Sequence, residues 1–462
     1  EVLAQSATTA DKNAAPVVPV NPVQKSDTKT AVKAPVALTP RPIEIADMAA
    51  YKGISAAVLS ANGQWAAWRL TEAEGDATVL VKSLSGKEEY SFPAGQGAGS
   101  IEFSEDGQWA AFTSHMSKKE QDAAKKAKKP LQTKVTLVDL KTGKSSVVDK
   151  VRKFAFANER GGWIAMHKAM ADGAAPAPVA PPVPGATAPA RAKGSDLLLK
   201  NLKTGAMLNL GNVSEFEFDF QGRYLAYIVD ANDKAGNGVV VHTLETGANQ
   251  VLDDGDAVYE KLLWNDKGNG FTVLKSIEDK AYTDKLWNAL GFRIDAGSNF
   301  TKTIIDPSKL KDFPQDMTIS GDAQPRWSKD FAWISFGIKE AKKKPKDEKK
   351  DAETDEKVNL VLWHHQDKRL PTQQKVQQEF DKKRSSAAIY RLAEAKFVRI
   401  GDEKLTSIAM PQAGDWALAQ DDGEYQRQAS MDGRRFSDVY AVNLKNGERR
   451  LLNKQARWTF GL

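Results

Sequence analysis

Beyond residue 43 the chain is written in short runs of alternating apolar and polar residues, divided by tight turn signals. Two such units recur. The first is an apolar strand, a turn carrying Asn-Gly or Asp-Gly, and a strand that opens on an aromatic residue. It reads Leu59-Ser60-Ala61-Asn62-Gly63-Gln64-Trp65-Ala66-Ala67-Trp68, then Phe103-Ser104-Glu105-Asp106-Gly107-Gln108-Trp109-Ala110-Ala111-Phe112. Weaker copies lie at 156–166, 218–227, 264–273, 327–334 and 410–419. Asn-Gly and Asp-Gly between alternating runs predict hairpins with primed turns, whose central residues need positive φ. The second unit follows each first one: an alternating strand and a Leu-bearing turn, as in Val138-Asp139-Leu140-Lys141-Thr142-Gly143, Lys200-Asn201-Leu202-Lys203-Thr204-Gly205 and Val442-Asn443-Leu444-Lys445-Asn446-Gly447.

Two hairpins per repeat make four antiparallel strands. Such a unit cannot bury both faces alone, so the units must stack around an axis. The predicted fold is all-β: a β-propeller with seven complete four-stranded blades and the first strand of a possible eighth at 457–462. Tryptophans recur in register, Trp65, Trp109, Trp163 and Trp416 at one repeat position and Trp264 and Trp327 at another, which places them in blade cores. Four insertions interrupt the repeats. The stretch 116–134 is rich in Lys and Ala and reads as helical. The stretch 168–194 is an Ala/Pro/Gly excursion, and 339–357 is a solvated run of mixed charge. The last, 365–385, has Pro371 near a helix start and a run without Gly or Pro behind it, so a helix is expected.

Residues 1–43 carry Pro16, Pro19, Pro22, Pro35, Pro40 and Pro42 without periodicity, a leader rather than a domain. Val2 and Ala4 stand where a signal peptidase reads, so Glu1–Ala4 is expected to be a signal-peptide remnant and the protein exported, into a periplasm. The propeller is expected over 44–462. The formal net charge is only +6, and much of the excess lies in one loop, where Lys118, Lys119, Lys125, Lys126, Lys128, Lys129 and Lys134 face Glu120 and Asp122. A basic balance confined to one loop does not make a nucleic-acid partner. No apolar run is long enough for a membrane helix. There is no cysteine, which excludes disulfides, thiolate metal sites and cysteine nucleophiles.

Candidate chemistry is sparse. His364 and His365 are adjacent, and on a strand they point to opposite faces, so they do not chelate one ion. Asp230-Ala231-Asn232-Asp233-Lys234 begins like a calcium loop but puts Lys234 where an oxygen ligand belongs. Gly95-Gln96-Gly97-Ala98-Gly99-Ser100 lacks the last glycine of a dinucleotide fingerprint. No catalytic, cofactor-binding or metal-ligating residue is assigned, and no cofactor is expected.

The blade grammar resembles the N-terminal propellers of prolyl oligopeptidase family serine peptidases. More specific are Leu362-Trp363-His364-His365-Gln366-Asp367-Lys368-Arg369-Leu370-Pro371-Thr372-Gln373-Gln374-Lys375 and Asp421-Asp422-Gly423-Glu424-Tyr425-Gln426-Arg427, similar to segments of large exported bacterial members. The resemblance implies a propeller that restricts access of peptide substrates to an α/β-hydrolase domain with a Ser–Asp–His triad. No Gly-x-Ser-x-Gly elbow occurs here; Gly53-Ile54-Ser55-Ala56-Ala57 fails at its last glycine, so no triad residue carries over. In the dipeptidyl-peptidase branch, propeller carboxylates capture the substrate's free amine. Glu424 with Asp421 or Asp422 has that chemistry, and Arg427 could hold a carbonyl or carboxylate, but a charged connection between strands accounts for the same residues. Two functions therefore stand: the non-catalytic propeller portion of an exported serine peptidase, or a stand-alone TolB-like propeller that binds a protein or peptide.

Limited proteolysis is expected to cut the leader, 168–194 and 339–357 first, because their composition cannot offset the entropy of ordering. Early cuts inside 108–112 or 439–444 would contradict the strand assignments.

Overall fold

The structure, a computed structural model, describes residues 51–457 except 73–74, 171–193, 232–233, 235 and 345–361, with Pro42, Glu44, Asp47 and Met48 ahead of them. The expected leader, most of 168–194, most of 339–357 and the closing strand at 458–462 lie outside the described residues. The described chain forms two compact units, one ending at Arg152 and the other beginning at Lys153.

The first unit holds two four-stranded antiparallel sheets. One is β1 (Lys52–Leu59), β2 (Trp65–Glu72), β3 (Ala77–Ser83) and β4 (Glu89–Gly95), paired in chain order. The other is β5 (Ile101–Phe103), β6 (Trp109–His115), β7 (Thr133–Asp139) and β8 (Ser145–Asp149). Helix α1 (Lys118–Lys126) fills the β6–β7 connection. It starts on a capping box: the Ser117 hydroxyl accepts from the Glu120 amide and the Glu120 carboxylate accepts from the Ser117 amide at 2.7 Å. Lys125 and Lys126 complement its C-terminal dipole. Between the two sheets Arg69 is buried, its guanidinium donating to the carbonyls of Gly97 (2.9 Å) and Thr113 (2.6 Å).

Strand β9 (Val151–Phe156) opens the second unit's first sheet, with β10 (Trp163–Lys168), β11 (Ser195–Asn201), β12 (Met207–Phe218), β13 (Tyr224–Val229), β14 (Gly238–Thr243) and β15 (Asn249–Asp254). Two separate blades were expected here; one seven-stranded sheet is found. The cause is β12, whose first half pairs with β11 and whose second half pairs with β13, Val213 meeting both. Asn212 takes a φ of 55° at the change of partner, a bulge in place of a linker. Next come β16 (Tyr259–Trp264), β17 (Gly270–Ile277), β18 (Leu286–Ile294) and β19 (Phe300–Ile305). In the following sheet the first strand is broken into β20 (Met317–Ile319) and β21 (Arg326–Trp327), both on β22 (Trp333–Glu340), with β23 (Ser386–Arg391) and β24 (Lys396–Arg399) beyond. The last is β25 (Ser407–Ala409), β26 (Trp416–Asp421), β27 (Ser437–Asn443) and β28 (Arg449–Ala456).

The first repeated motif builds one turn. The Ser104 hydroxyl accepts from the Trp109 amide at 2.9 Å and donates to Asp106 at 2.6 Å, and the Gly107 amide returns to the Ser104 carbonyl. Ser60, Asn62 and Gly63 repeat the pattern, and Asp219 does so with a carboxylate that accepts from the Arg223 and Tyr224 amides. Positive φ is confined to the glycine (66° at Gly63, 63° at Gly107), so these are not the primed two-residue turns expected. They are longer loops in which a left-handed residue follows the hydrogen-bonded turn. Phe331 stands at that position with a φ of 58°; its ring meets Trp327 edge-on at 5.0 Å, packing that offsets the backbone cost.

The second motif is tied to the first. The amide of Leu140 donates to the carbonyl of Gln108, the residue just before β6, at 3.0 Å. The same bond recurs as Leu84 to Gln64, Leu202 to Gly162, Leu244 to Arg223, Ile294 to Asn269, Leu392 to Ala332 and Leu444 to Asp415. Middle strands are buried on both faces, as in Tyr224–Val229 and Gly238–Thr243, while outer strands such as β15 and β28 face water.

Neighbouring sheets in the second unit are joined through side chains to backbone. The β16–β17 register slips between Glu260 and Leu263, freeing amides that β12 supplies with carboxylates. Glu215 accepts from Leu262 at 2.9 Å, and Glu217 accepts from Trp264 at 2.9 Å. Burial pushes the Glu217 carboxyl above its ordinary range, opposed by the Trp264 amide. The indoles of Trp264, Trp327 and Trp333 donate to the carbonyls of Glu217, Phe271 and Gly414, so these tryptophans are core anchors. Trp416 departs from that expectation: it opens the last full hairpin yet is half exposed.

Ser104→Ala removes the acceptor of the Trp109 amide and is expected to cost about 1–3 kcal/mol. Urea unfolding checks it; an unchanged midpoint would show the hydroxyl to be dispensable to the turn.

Candidate functional site

In a four-stranded meander the first and third connections lie at one end of the sheet and the second at the other. The first and third are short throughout, for example 104–108 and 140–144, or 219–223 and 244–248. The long connections, 116–132, 169–194, 341–385 and 422–436, all join the second strand of a set to the third. The connections that carry inserted chain therefore leave and re-enter each sheet at the end that the recurring turns leave free.

Two inserts of the second unit make a site. Helix α2 (Pro371–Lys382) starts with Pro371 in its first turn, where a missing amide costs nothing, and ends on Lys382. Helix α3 (Gln426–Asp432) ends on Gly433 at a φ of 76°. The Ser430 hydroxyl bonds Gln373 Oε1 at 2.8 Å and joins the two helices. Arg369 donates to Asp381 at 2.7 Å and braces α2 against the loop before it. Val376 and Phe380, one turn apart on α2, face water.

A cavity of about 540 Å³ opens between these helices and the start of β27, walled by Arg369, Arg384, Tyr425, Arg435, Ser437 and Arg457 among others. A second, of about 690 Å³, shares Arg369, Arg384 and Asp422 with it and adds Asp421, Glu424 and Glu403. The first is thus rich in guanidinium, while the second mixes carboxylates with Lys368, Arg369, Arg384 and Lys404. At the base of the first cavity the Tyr425 hydroxyl donates to Asp438 at 2.7 Å, and the Gln455 amide donates to the same oxygen at 2.9 Å. That bond to a carboxylate pushes the Tyr425 phenol up to about 12. The Gln455 amide and the Tyr425 hydroxyl together hold Asp438 below the ordinary carboxylate range.

The residues considered for amine capture come together only in part. Asp421, Asp422 and Glu424 line the second cavity, while Arg427 is exposed on α3 and lines neither. Asp421 accepts from the Gly423 amide at 2.8 Å and Asp422 from the Gln426 side chain at 2.9 Å, so both are engaged by their own loop. His364 and His365 lie in a turn, not on a strand, and their rings sit 4.3 Å apart instead of on opposite faces. The Asp367 carboxylate accepting the His364 amide holds that turn. Among the described residues no group of three or more His, Asp or Glu side chains is placed to hold a metal ion, and no helix is long and apolar enough to cross a membrane. Arg384, Arg435, Arg457 and the Tyr425–Asp438 pair were not foreseen. They are scattered through the sequence without a shared spacing, so only the fold assembles them.

Tyr425→Phe is expected to raise the pKa of Asp438, read by carboxyl carbon NMR titration. A carboxylate held low favours the fold above its unfolded pKa and loses that share as pH falls through its folded value. The acid-side loss should begin at higher pH in the variant. An unmoved Asp438 titration would show that the Gln455 amide alone sets it.

No family model matches the sequence, and no curated protein matches it. Solved structures do. The tricorn protease aligns over 88% of this chain and 35% of its own, at 10% identity and a TM-score of 0.34. A prolyl endopeptidase aligns over 88% of this chain and 52% of its own, at 12% identity and a TM-score of 0.36. The β-propeller domain of the Trilobed protease from Pyrococcus furiosus aligns over 88% of this chain and 99% of its own, at 10% identity and a TM-score of 0.32. The chain thus spans about a third of the first and about half of the second. The structures aligned include a peptidase propeller domain. The described residues form successive antiparallel meander sheets, four of them four-stranded, one five-stranded and one seven-stranded, which are the units of a β-propeller.

Proposed function

We propose that this chain is the propeller portion of an exported serine peptidase of prolyl oligopeptidase type, receiving and restricting peptides for an α/β-hydrolase domain. The observation that carries this is the meeting of two inserts of the second unit, joined by Ser430 and Gln373, at polar cavities of about 540 and 690 Å³. Volumes of that order hold a few residues of extended chain and exclude a folded domain. Walls of arginine, carboxylate and amide groups suit a peptide, whose backbone and termini need polar partners. Export, most simply into a periplasm, belongs to the same proposal.

Catalysis is assigned to the hydrolase domain, not to this chain. Acyl transfer needs a nucleophile beside a base and an oxyanion hole. His115 and His167 hold the carbonyls of Ala98 and Val213, and His242 holds the Asn249 side chain, which leaves them structural work.

The purified chain is expected to turn over no chromogenic dipeptide or proline-containing substrate and to take no fluorophosphonate label. Labelling that survives repurification and vanishes on replacing one serine would reveal a catalytic site. In NMR titrations with short peptides, shifts are expected in 369–384 and 421–437; shifts confined to other sheets would move the site elsewhere.

A further inference from the structure

The cavity of about 540 Å³ has an excess of cationic groups, and its charges are not internally balanced. Arg369 and Arg384 share one carboxylate, Asp381, at 2.7 and 3.6 Å. Arg435 and Arg457 also line the cavity, and among the described residues no carboxylate lies within ion-pair distance of either. The nearby acids are occupied: Asp438 takes the Tyr425 hydroxyl and the Gln455 amide, and Asp422 takes the Gln426 side chain.

We propose that this cavity binds a carboxylate of the incoming peptide, with Arg435 and Arg457 as its principal partners. The proposal rests on the peptide-receiving reading above and adds a charge requirement to it. A guanidinium presents paired N–H groups in a plane, matched to the two oxygens of a carboxylate, and the bond is shorter and stronger than one between neutral groups. One exposed arginine is satisfied by water. Two that line one cavity, with a pair that shares a single aspartate, leave positive charge that an entering anion would offset. Ser437 also lines the cavity and offers a hydroxyl whose contact with Gln420 is long, at 3.5 Å. Two groups of a peptide carry this chemistry: the free C-terminal carboxylate and the side chain of Asp or Glu.

Three probes separate the sources by calorimetry on the full chain: N-acetyl-trialanine with a free carboxylate, its C-terminal amide, and N-acetyl-Ala-Glu-Ala amide. At least one of the two anionic peptides is expected to bind about tenfold tighter than the neutral amide, as charge-assisted hydrogen bonds would give. Whichever does so identifies the source. Arg435→Gln and Arg457→Gln should each remove most of that difference between the anionic peptides and the neutral amide. Arg435→Lys should retain part of it. Thermal melts confirm that the variants are folded, which is expected because both side chains are exposed and have no ion-pair partner among the described residues. Equal binding of all three peptides would overturn the carboxylate assignment and leave the peptide-receiving reading standing. Binding of none would overturn both. A preference for the anionic peptides that survives Arg435→Gln and Arg457→Gln together would place the anion elsewhere.

Discussion

One backbone hydrogen bond organises each four-stranded set: the amide that opens the second turn donates to the carbonyl that closes the first. Leu140 to Gln108 and Leu444 to Asp415 are two of its copies. It extends the ladder between the two middle strands by one rung and brings both turns to the same end of the sheet. Length cannot be added there without breaking the rung or the side-chain bonds of the first turn. Ser104, Asp106 and Gly107 illustrate how little room is left.

That constraint directs every large insert to the opposite end, where the connection between second and third strands is free to grow. Helices α1, α2 and α3 all lie in such connections. A scaffold of this kind separates stability from function. The middle strands are buried on both faces and held by backbone ladders, whereas the inserts are half exposed and held by side-chain bonds such as Ser430 to Gln373 and Arg369 to Asp381. Local opening is cheapest where buried apolar contacts are fewest, which suits the inserts to the peptide-receiving role proposed for them.

Burial and charge meet differently at the two ends. Glu217 and Asp219 are buried in β12 and its turn, and desolvation raises both carboxyls while backbone amides pull them back. Their work is to satisfy amides that a bulge or a turn leaves unpaired. At the insertion end Asp381 and Asp438 are more exposed and bind side chains, leaving Arg435 and Arg457 as charge directed at solvent or ligand.

The strands and turns were legible because each depends on a local pattern: alternation of faces, a small polar residue accepting from an amide a few residues on, a glycine free to take positive φ. Helix α2 was legible for the same reason, through Pro371 and the unbroken run after it. The merging of two expected blades into one sheet was not, since nothing around Asn212 marks a strand that changes partners in mid-course. The pairing of the histidine rings was missed because a strand was assumed where a turn forms. By itself, then, the sequence determined the repeat, its turns and the places where chain is inserted, all set by neighbours close along the chain. Only the tertiary structure decided which charges share a cavity, because Arg369 and Arg384 lie in one connection, Arg435 in another and Arg457 beyond the last strand, and their meeting depends on how the sheets pack.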